Sequence, residues 1–210
     1  MPLQNRVNPF GDLVASPARG TLIGNRGVVH TANREITRRW TTRRWICCLL
    51  AFKGRHREVM TPNRWTELFF LDEATALAAG HRPCYECRRA DATAFRDAWH
   101  IGNPESPVER SDRIERVERV DHVLHNERTL AQPERPVRRL RSLAPGAMFT
   151  APAGGPAHLW WANASWVWSF EGYARVESPG GEVRLITPAS IERALHAGYA
   201  PRVHESAFRS

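Results

Sequence analysis

The sequence predicts an α+β fold, and three observations predict it. Helical and strand patterns are segregated along the 210 residues rather than alternating as in a βαβ chain; residues 142–186 read as short strands between Gly and Asn turns; and a Cys-x-x-Cys pair, Cys84 and Cys87, stands just before a helical stretch. The chain is long enough to bury a core without disulfide staples, and 42% hydrophobic with 25% charged residues excludes a disordered or fibrous protein. The longest apolar run, 45–52, is far shorter than the ~20 residues that cross a bilayer as a helix, so no membrane partner is expected. The first residues lack the apolar core and cleavage site of a secretory signal, which makes the cytoplasm, with reduced cysteines, the expected compartment.

The elements follow in order. Residues 1–30, punctuated by Pro2, Pro9, Gly11, Pro17, Gly20, Gly24 and Gly27, predict an irregular basic arm with short strands. The apolar run 45–52 predicts a buried strand, and 66–71 a second one. Asp72 suits the N-cap of a helix over 73–79, where the Ala-rich stretch has high helix propensity and Gly80 supplies the left-handed stop. The turn His81-Arg82-Pro83 leads into Cys84, and a further helix runs to about Trp99. Over 109–128, Ile114, Val117, Val120, Val123 and Leu124 recur with helical period among acids and arginines, predicting an amphipathic helix. The Pro- and Arg-rich 133–141 reads as a linker or edge. Strands are then expected at 147–151, 159–162, 165–170, 173–176 and 183–186, and a last helix with Thr187 as N-cap, Pro188 at its first position and Gly198 as its stop. This divides the chain into an arm (1–30), a first module (31–100), a connecting helix and linker (101–141) and a β-rich C-terminal module (142–210).

Charge narrows the class of partner. The formal net charge is +8, all of it in residues 1–60, and Lys53 is the single lysine. Planar guanidinium forks suit bidentate phosphate contacts, while a genome biased toward Arg codons would explain the identity of these residues but not their location. Two Arg-Arg-Trp triplets interleave charge with aromatic faces, which suits a nucleic-acid surface on which Trp stacks and Arg pairs with phosphate. The candidate contacts are Arg38, Arg39, Trp40, Arg43, Arg44, Arg55 and Arg57. Trp40 and Trp45 equally suit core anchors, Trp45 the more strongly.

Cys84 and Cys87 have the spacing of a zinc knuckle, and four-coordinate zinc needs two further ligands. The remaining cysteines are the adjacent Cys47 and Cys48. The count favours a site of Cys47, Cys48, Cys84 and Cys87, although neighbouring residues of a regular strand point to opposite faces, so His56 or His81 is the alternative fourth ligand. Core packing of Cys47 and Cys48 with a surface Cys84–Cys87 pair is the plain alternative; a redox couple ranks lower, since the residues before Cys84 do not form a thioredoxin-like unit.

The block Glu67-Leu-Phe-Phe-Leu-Asp-Glu-Ala-Thr-Ala-Leu-Ala-Ala-Gly-His-Arg-Pro-Cys-Tyr-Glu-Cys-Arg-Arg resembles the second half of the Ada-type metal-binding domain. That family shows a strand, an Ala-rich helix ending in Gly, then Arg-Pro-Cys-x-x-Cys-Arg. The resemblance implies a zinc fold, DNA as partner, a role in DNA damage, and a zinc-bound thiolate that accepts methyl groups from phosphotriesters, here Cys47 or Cys48 as the upstream pair. In the family that pair is spaced by three residues; here it is adjacent.

Two other constellations carry chemistry. Asp121 and His125 share a helical face at i, i+4, a pair able to orient a general base in a hydrolase, though the flanking acids and arginines favour a solvated face. Trp160, Trp161, Trp166 and Trp168 cluster around a turn at 163–165, and alternation puts Trp166 and Trp168 on one face, better suited to core filling than to base stacking. The reading is a zinc-binding, nucleic-acid-binding protein; the alternatives are an enzyme, as thiolate alkyl acceptor or Asp121/His125 hydrolase, and a protein-interaction module with structural zinc.

Overall fold

The computed structural model describes residues 1–54, 58–104 and 113–208, with the side chains of 113–116 and 133 left aside. The fold is α+β, with helices and two six-stranded sheets. The first sheet contains β1 (Gln4–Val7), β2 (Leu13–Ala15), β3 (Leu22–Asn25), β4 (Ile46–Leu49), β5 (Leu68–Phe70) and β6 (Arg82–Pro83) in the order β2-β1-β5-β3-β4-β6. β1 and β5 are parallel, as are β4 and β6; the other pairs are antiparallel. The punctuated N-terminal stretch thus supplies three strands. β4 stops at Leu49 because its neighbour β3 begins at Leu22, opposite it, and the run 50–52 has no ladder to join.

Period-two alternation gives this sheet two unlike faces. Val7, Leu22, Cys47, Leu68 and Phe70 form one, packed against Ala76 and Ala79. Ile23, Asn25, Ile46, Cys48 and Phe69 form the other, where each is only partly buried.

Helix α1 (Glu73–Ala78) is wholly buried between the two sheets. Ala76 faces the first sheet and Ala74 and Ala78 the second, so the methyl side chains that favour the helix also fit the narrow gap. Asp72 caps it by accepting from the Thr75 amide at 2.8 Å. At its end Gly80 has φ +79°, the left-handed backbone that favours glycine, and a Cβ there would stand 3.0 Å from the Arg128 side chain.

α2 (Arg89–Gly102), α3 (Arg113–Arg128) and α4 (Ala189–His196) pack on the second sheet. That sheet is antiparallel throughout, with β7 (Val137–Arg139), β8 (Met148–Thr150), β9 (His158–Trp161), β10 (Ala164–Trp168), β11 (Tyr173–Val176) and β12 (Glu182–Leu185) in the order β11-β10-β9-β8-β12-β7. Gly102 lets α2 approach the α4 backbone, since a Cβ there would stand 2.4 Å from the Arg193 carbonyl oxygen. Trp160 joins Phe95, Trp99 and Leu195 in one core; Trp166, with Trp161 and Trp168 against it, fills the other.

Two local expectations move, at the hairpin turn and at the cap of the last helix, while 133–141 keeps its reading as an edge. The hairpin turn is Ala162-Asn163, both with positive φ, as a two-residue turn between right-twisted strands demands. The stretch 133–141 contains β7 as an edge strand. Thr187 does not cap α4: its hydroxyl accepts the Met148 amide at 2.8 Å, and the Glu127 carboxylate of α3 takes the Ser190 amide at 3.0 Å instead. No described helix is long and apolar enough to cross a membrane.

Candidate metal centre

Three sulfurs meet where β4 and β6 lie side by side. Parallel pairing sets Pro83 opposite Cys47, and the Cys84 amide donates to the Cys47 carbonyl at 3.0 Å, which brings Cys84 alongside Cys48. The chain then curls, with the Arg88 amide reaching the Cys84 carbonyl at 3.0 Å, so that Cys87 returns to the same spot. The Sγ atoms of Cys48, Cys84 and Cys87 all lie within 4.8 Å of one another. Tetrahedral zinc with Zn–S bonds of ~2.3 Å sets sulfurs ~3.8 Å apart, so a small contraction suffices to close this group on the ion.

Cys47 is not in the group, which corrects the expected four-cysteine set. Its side chain takes the opposite face of β4, is 1% exposed among Val7, Leu22 and Phe70, and has Arg88 Nη1 donating to its sulfur at 3.4 Å. Burial pushes its thiol up, with Arg88 opposing. Of the two acceptor candidates, Cys48 is the one that lines a cavity. His81 stays out as well: it is buried beside Trp45 and Phe70, with ring centroids 5.0 and 4.6 Å away, and accepts from Arg26 Nε at 3.3 Å. His56 lies outside the described residues. Among the described residues the group stops at three.

The three thiols differ in character. The Cys48 thiol donates to Cys84, and with the amides of Cys87 and Glu86 also directed at that sulfur, Cys84 is lowered to about 5. The Glu86 amide lies 3.4 Å from it. Cys48, as donor of the shared proton and partly desolvated, goes up, and burial raises Cys87. Of the three sulfurs, Cys84 is therefore the one whose surroundings favour the thiolate form.

The centre sits at one end of a cavity of about 380 Å³ on the half-open face of the first sheet. Ile23, Ile46 and Phe69 of the sheet face line it together with Phe52, Trp65, Glu67 and Glu86. Glu67 is 3% exposed, and one carboxylate oxygen accepts the Met60 amide at 2.8 Å. No Lys, Arg or His lines this cavity among the described residues. Its aromatic walls and Glu67 had no signal in the sequence, because strand pairing and the loop over 58–67 assemble them.

The other candidates are dispersed. Arg38, Arg39, Arg43 and Arg44 are exposed, Arg39 lying 3.8 Å from Asp12 and Arg44 4.0 Å from Asp121. Trp40 is half-buried against Trp45 and His125. Trp45 is a core residue, 4% exposed, with the guanidinium carbons of Arg26 and Arg128 each 4.0 Å from its ring. Arg55 and Arg57 lie outside the described residues. Asp121 gives both oxygens to Arg82, at 2.8 and 2.7 Å, so its carboxylate is committed to holding β6 rather than to orienting His125.

No family model, curated protein or solved structure matches this chain. The likeness to the Ada-type domain therefore rests on its motif, and the structure supplies a cluster of three cysteines able to hold a metal.

Proposed function

We propose that this chain is a zinc-thiolate protein whose metal takes its fourth ligand from the adjoining cavity. The observation that carries this reading is the convergence of Cys48, Cys84 and Cys87 at the end of a walled cavity. Soft thiolates select zinc over hard cations, and three protein ligands with one exchangeable position is the arrangement in which zinc acts on a bound molecule rather than merely tying chain segments together. Bound there, zinc would polarise an oxygen or sulfur donor of the ligand; the residues hold the ion, and the apolar lining excludes water around it. An alkyl-acceptor role in DNA damage would fall to Cys48, the one of the two upstream cysteines that lines the cavity. The test is metal analysis of purified protein followed by Co²⁺ exchange. One zinc per chain, and intense thiolate-to-cobalt charge-transfer bands that shift when a small thiol is added, are expected; a folded chain that holds no metal sinks the reading.

Exposure of Arg38, Arg39, Arg43 and Arg44 on one loop supports a second reading, nucleic-acid contact through that surface. Retention on immobilised DNA or RNA should fall steeply from low to moderate salt and weaken in R43E/R44E. Equal retention of the double variant sinks it.

A further inference from the structure

We propose that a cleft at one end of the second sheet binds a phosphorylated sugar, either free or as part of a nucleotide. The β9–β10 turn, the loop over 177–181 that precedes β12 and the residues that follow β7 meet there around a volume of about 930 Å³. The loop is tied in place by its Gly181 carbonyl, which accepts the Leu140 amide at 3.0 Å. This cleft shares no lining residue with the cavity beside the three sulfurs, so the proposal does not depend on the metal.

Three donors in the cleft lack partners. Arg139 and Arg141 both line it, and neither guanidinium has a hydrogen-bond or ion-pair partner among the described residues, whereas Arg82 and Arg88 are each paired with carboxylates. Trp160 lines it as well. Its side chain is sunk in the core, the residue being 8% exposed, yet its indole N–H finds no acceptor among the described residues and is not sealed from solvent. The indoles of Trp45, Trp166 and Trp168, by contrast, all donate within the protein. A donor held this rigidly at a cleft wall costs a ligand little to use. Two guanidinium forks need several anionic oxygens to engage them both, which a phosphate supplies and a single carboxylate does not.

The rest of the lining favours hydroxyl groups on the ligand. Glu182 is the cross-strand neighbour of Arg139, but the two form no ion pair, so Glu182 leaves the guanidinium available and keeps its own oxygens open as acceptors. The Asn163 amide at the hairpin turn and the Ser178 hydroxyl add groups that both donate and accept. One carboxylate against two guanidiniums leaves the cleft positive, which admits the phosphate, while Glu182 takes the hydroxyls of its sugar.

Calorimetric titration of the full chain tests this with four probes: ribose 5-phosphate, ribose, inorganic phosphate and adenosine 5′-monophosphate. Ribose 5-phosphate is expected to bind once per chain, more tightly than inorganic phosphate, and ribose not at all. Affinity should fall about tenfold or more in Arg139→Gln/Arg141→Gln, two exposed positions whose change leaves the core untouched, and stay level in R43E/R44E. Adenosine monophosphate that displaces ribose 5-phosphate supports the site and assigns it to nucleotides; failure to displace it supports the free sugar phosphate. Inorganic phosphate binding as tightly as ribose 5-phosphate overturns the sugar site. Equal losses in the two double variants, or no loss in either, would show attraction to the basic chain as a whole and overturn it too, as would the absence of saturable binding by any probe.

Discussion

The Arg88 guanidinium lies 2.7 Å from the Glu73 carboxylate, and both side chains are sealed from solvent. Arg88 directly follows the Cys84–Cys87 turn and also reaches the Cys47 sulfur and Asp91, while Glu73 accepts from the Tyr199 hydroxyl at 2.6 Å and the Arg202 amide at 3.0 Å. The pair thus ties the three-sulfur turn to the helix between the sheets and to the C-terminal segment. Removing one partner strands the other's charge. Arg88→Met is expected to lower stability by ~3–5 kcal/mol, and Arg88→Met/Glu73→Gln by less than the sum of Arg88→Met and Glu73→Gln; urea unfolding of these three variants and wild type measures the coupling, and strict additivity would refute it.

Cysteine-to-serine changes separate the ligands from the core thiol. On the proposed metal reading, Cys48→Ser, Cys84→Ser and Cys87→Ser should each weaken metal binding by more than the ~10–100-fold that follows loss of an outer partner. Cys47→Ser should keep full metal content yet cost about 1–3 kcal/mol of stability for a hydroxyl placed in an apolar core. Competition with a chromophoric chelator reads the first effect and thermal unfolding the second.

Burial, with Arg26 and Arg128 nearby, holds the His81 imidazole well below its ordinary value. The folded chain refuses a proton that the unfolded chain accepts, so this contribution to stability is complete above about pH 6.5 and is lost as pH falls below it, at up to ~1.4 kcal/mol per pH unit. His81→Gln removes the titrating ring. The difference between wild type and variant in denaturant midpoint should therefore shrink or reverse from pH 7 to pH 5; a constant difference would show that His81 does not titrate in this way.

Asp72 joins the sheets from the other side of α1. It accepts from the Thr75 amide and hydroxyl, and its second oxygen takes the Tyr173 hydroxyl and the His204 amide, each at 2.9 Å. Asp72→Ala should cost at least ~2 kcal/mol, the cap being lost together with partners for buried donors. Asp72→Asn, which retains an acceptor, should cost less. A thermal melt in which the two variants coincide would place the effect elsewhere than in these bonds.

Element types were legible because they depend on local periodicity. The cap at Asp72, the stop at Gly80, the helix after Cys87 and the strands of the second sheet all stand within a few residues of their expected places. The strands of the first 25 residues were blurred, since short strands rich in Gly and Pro carry little alternation and are held by partners such as Phe69 and Phe70, more than 40 positions away in the sequence. In the site, the Cys-x-x-Cys turn and the opposition of Cys47 and Cys48 were both readable from the spacing.

The order of residues alone determined that adjacent cysteines on a strand must diverge, because the side-chain period of extended backbone is two, and that Cys84 and Cys87 must lie close together. Only the tertiary structure decided that Cys48, and not Cys47, joins them, because β6 pairs beside β4 while α1 covers the opposite face. It alone also walled a cavity with Glu67 and Phe69 beside the sulfurs. Which face of a sheet is covered depends on contacts between distant segments, and local periodicity carries no record of them.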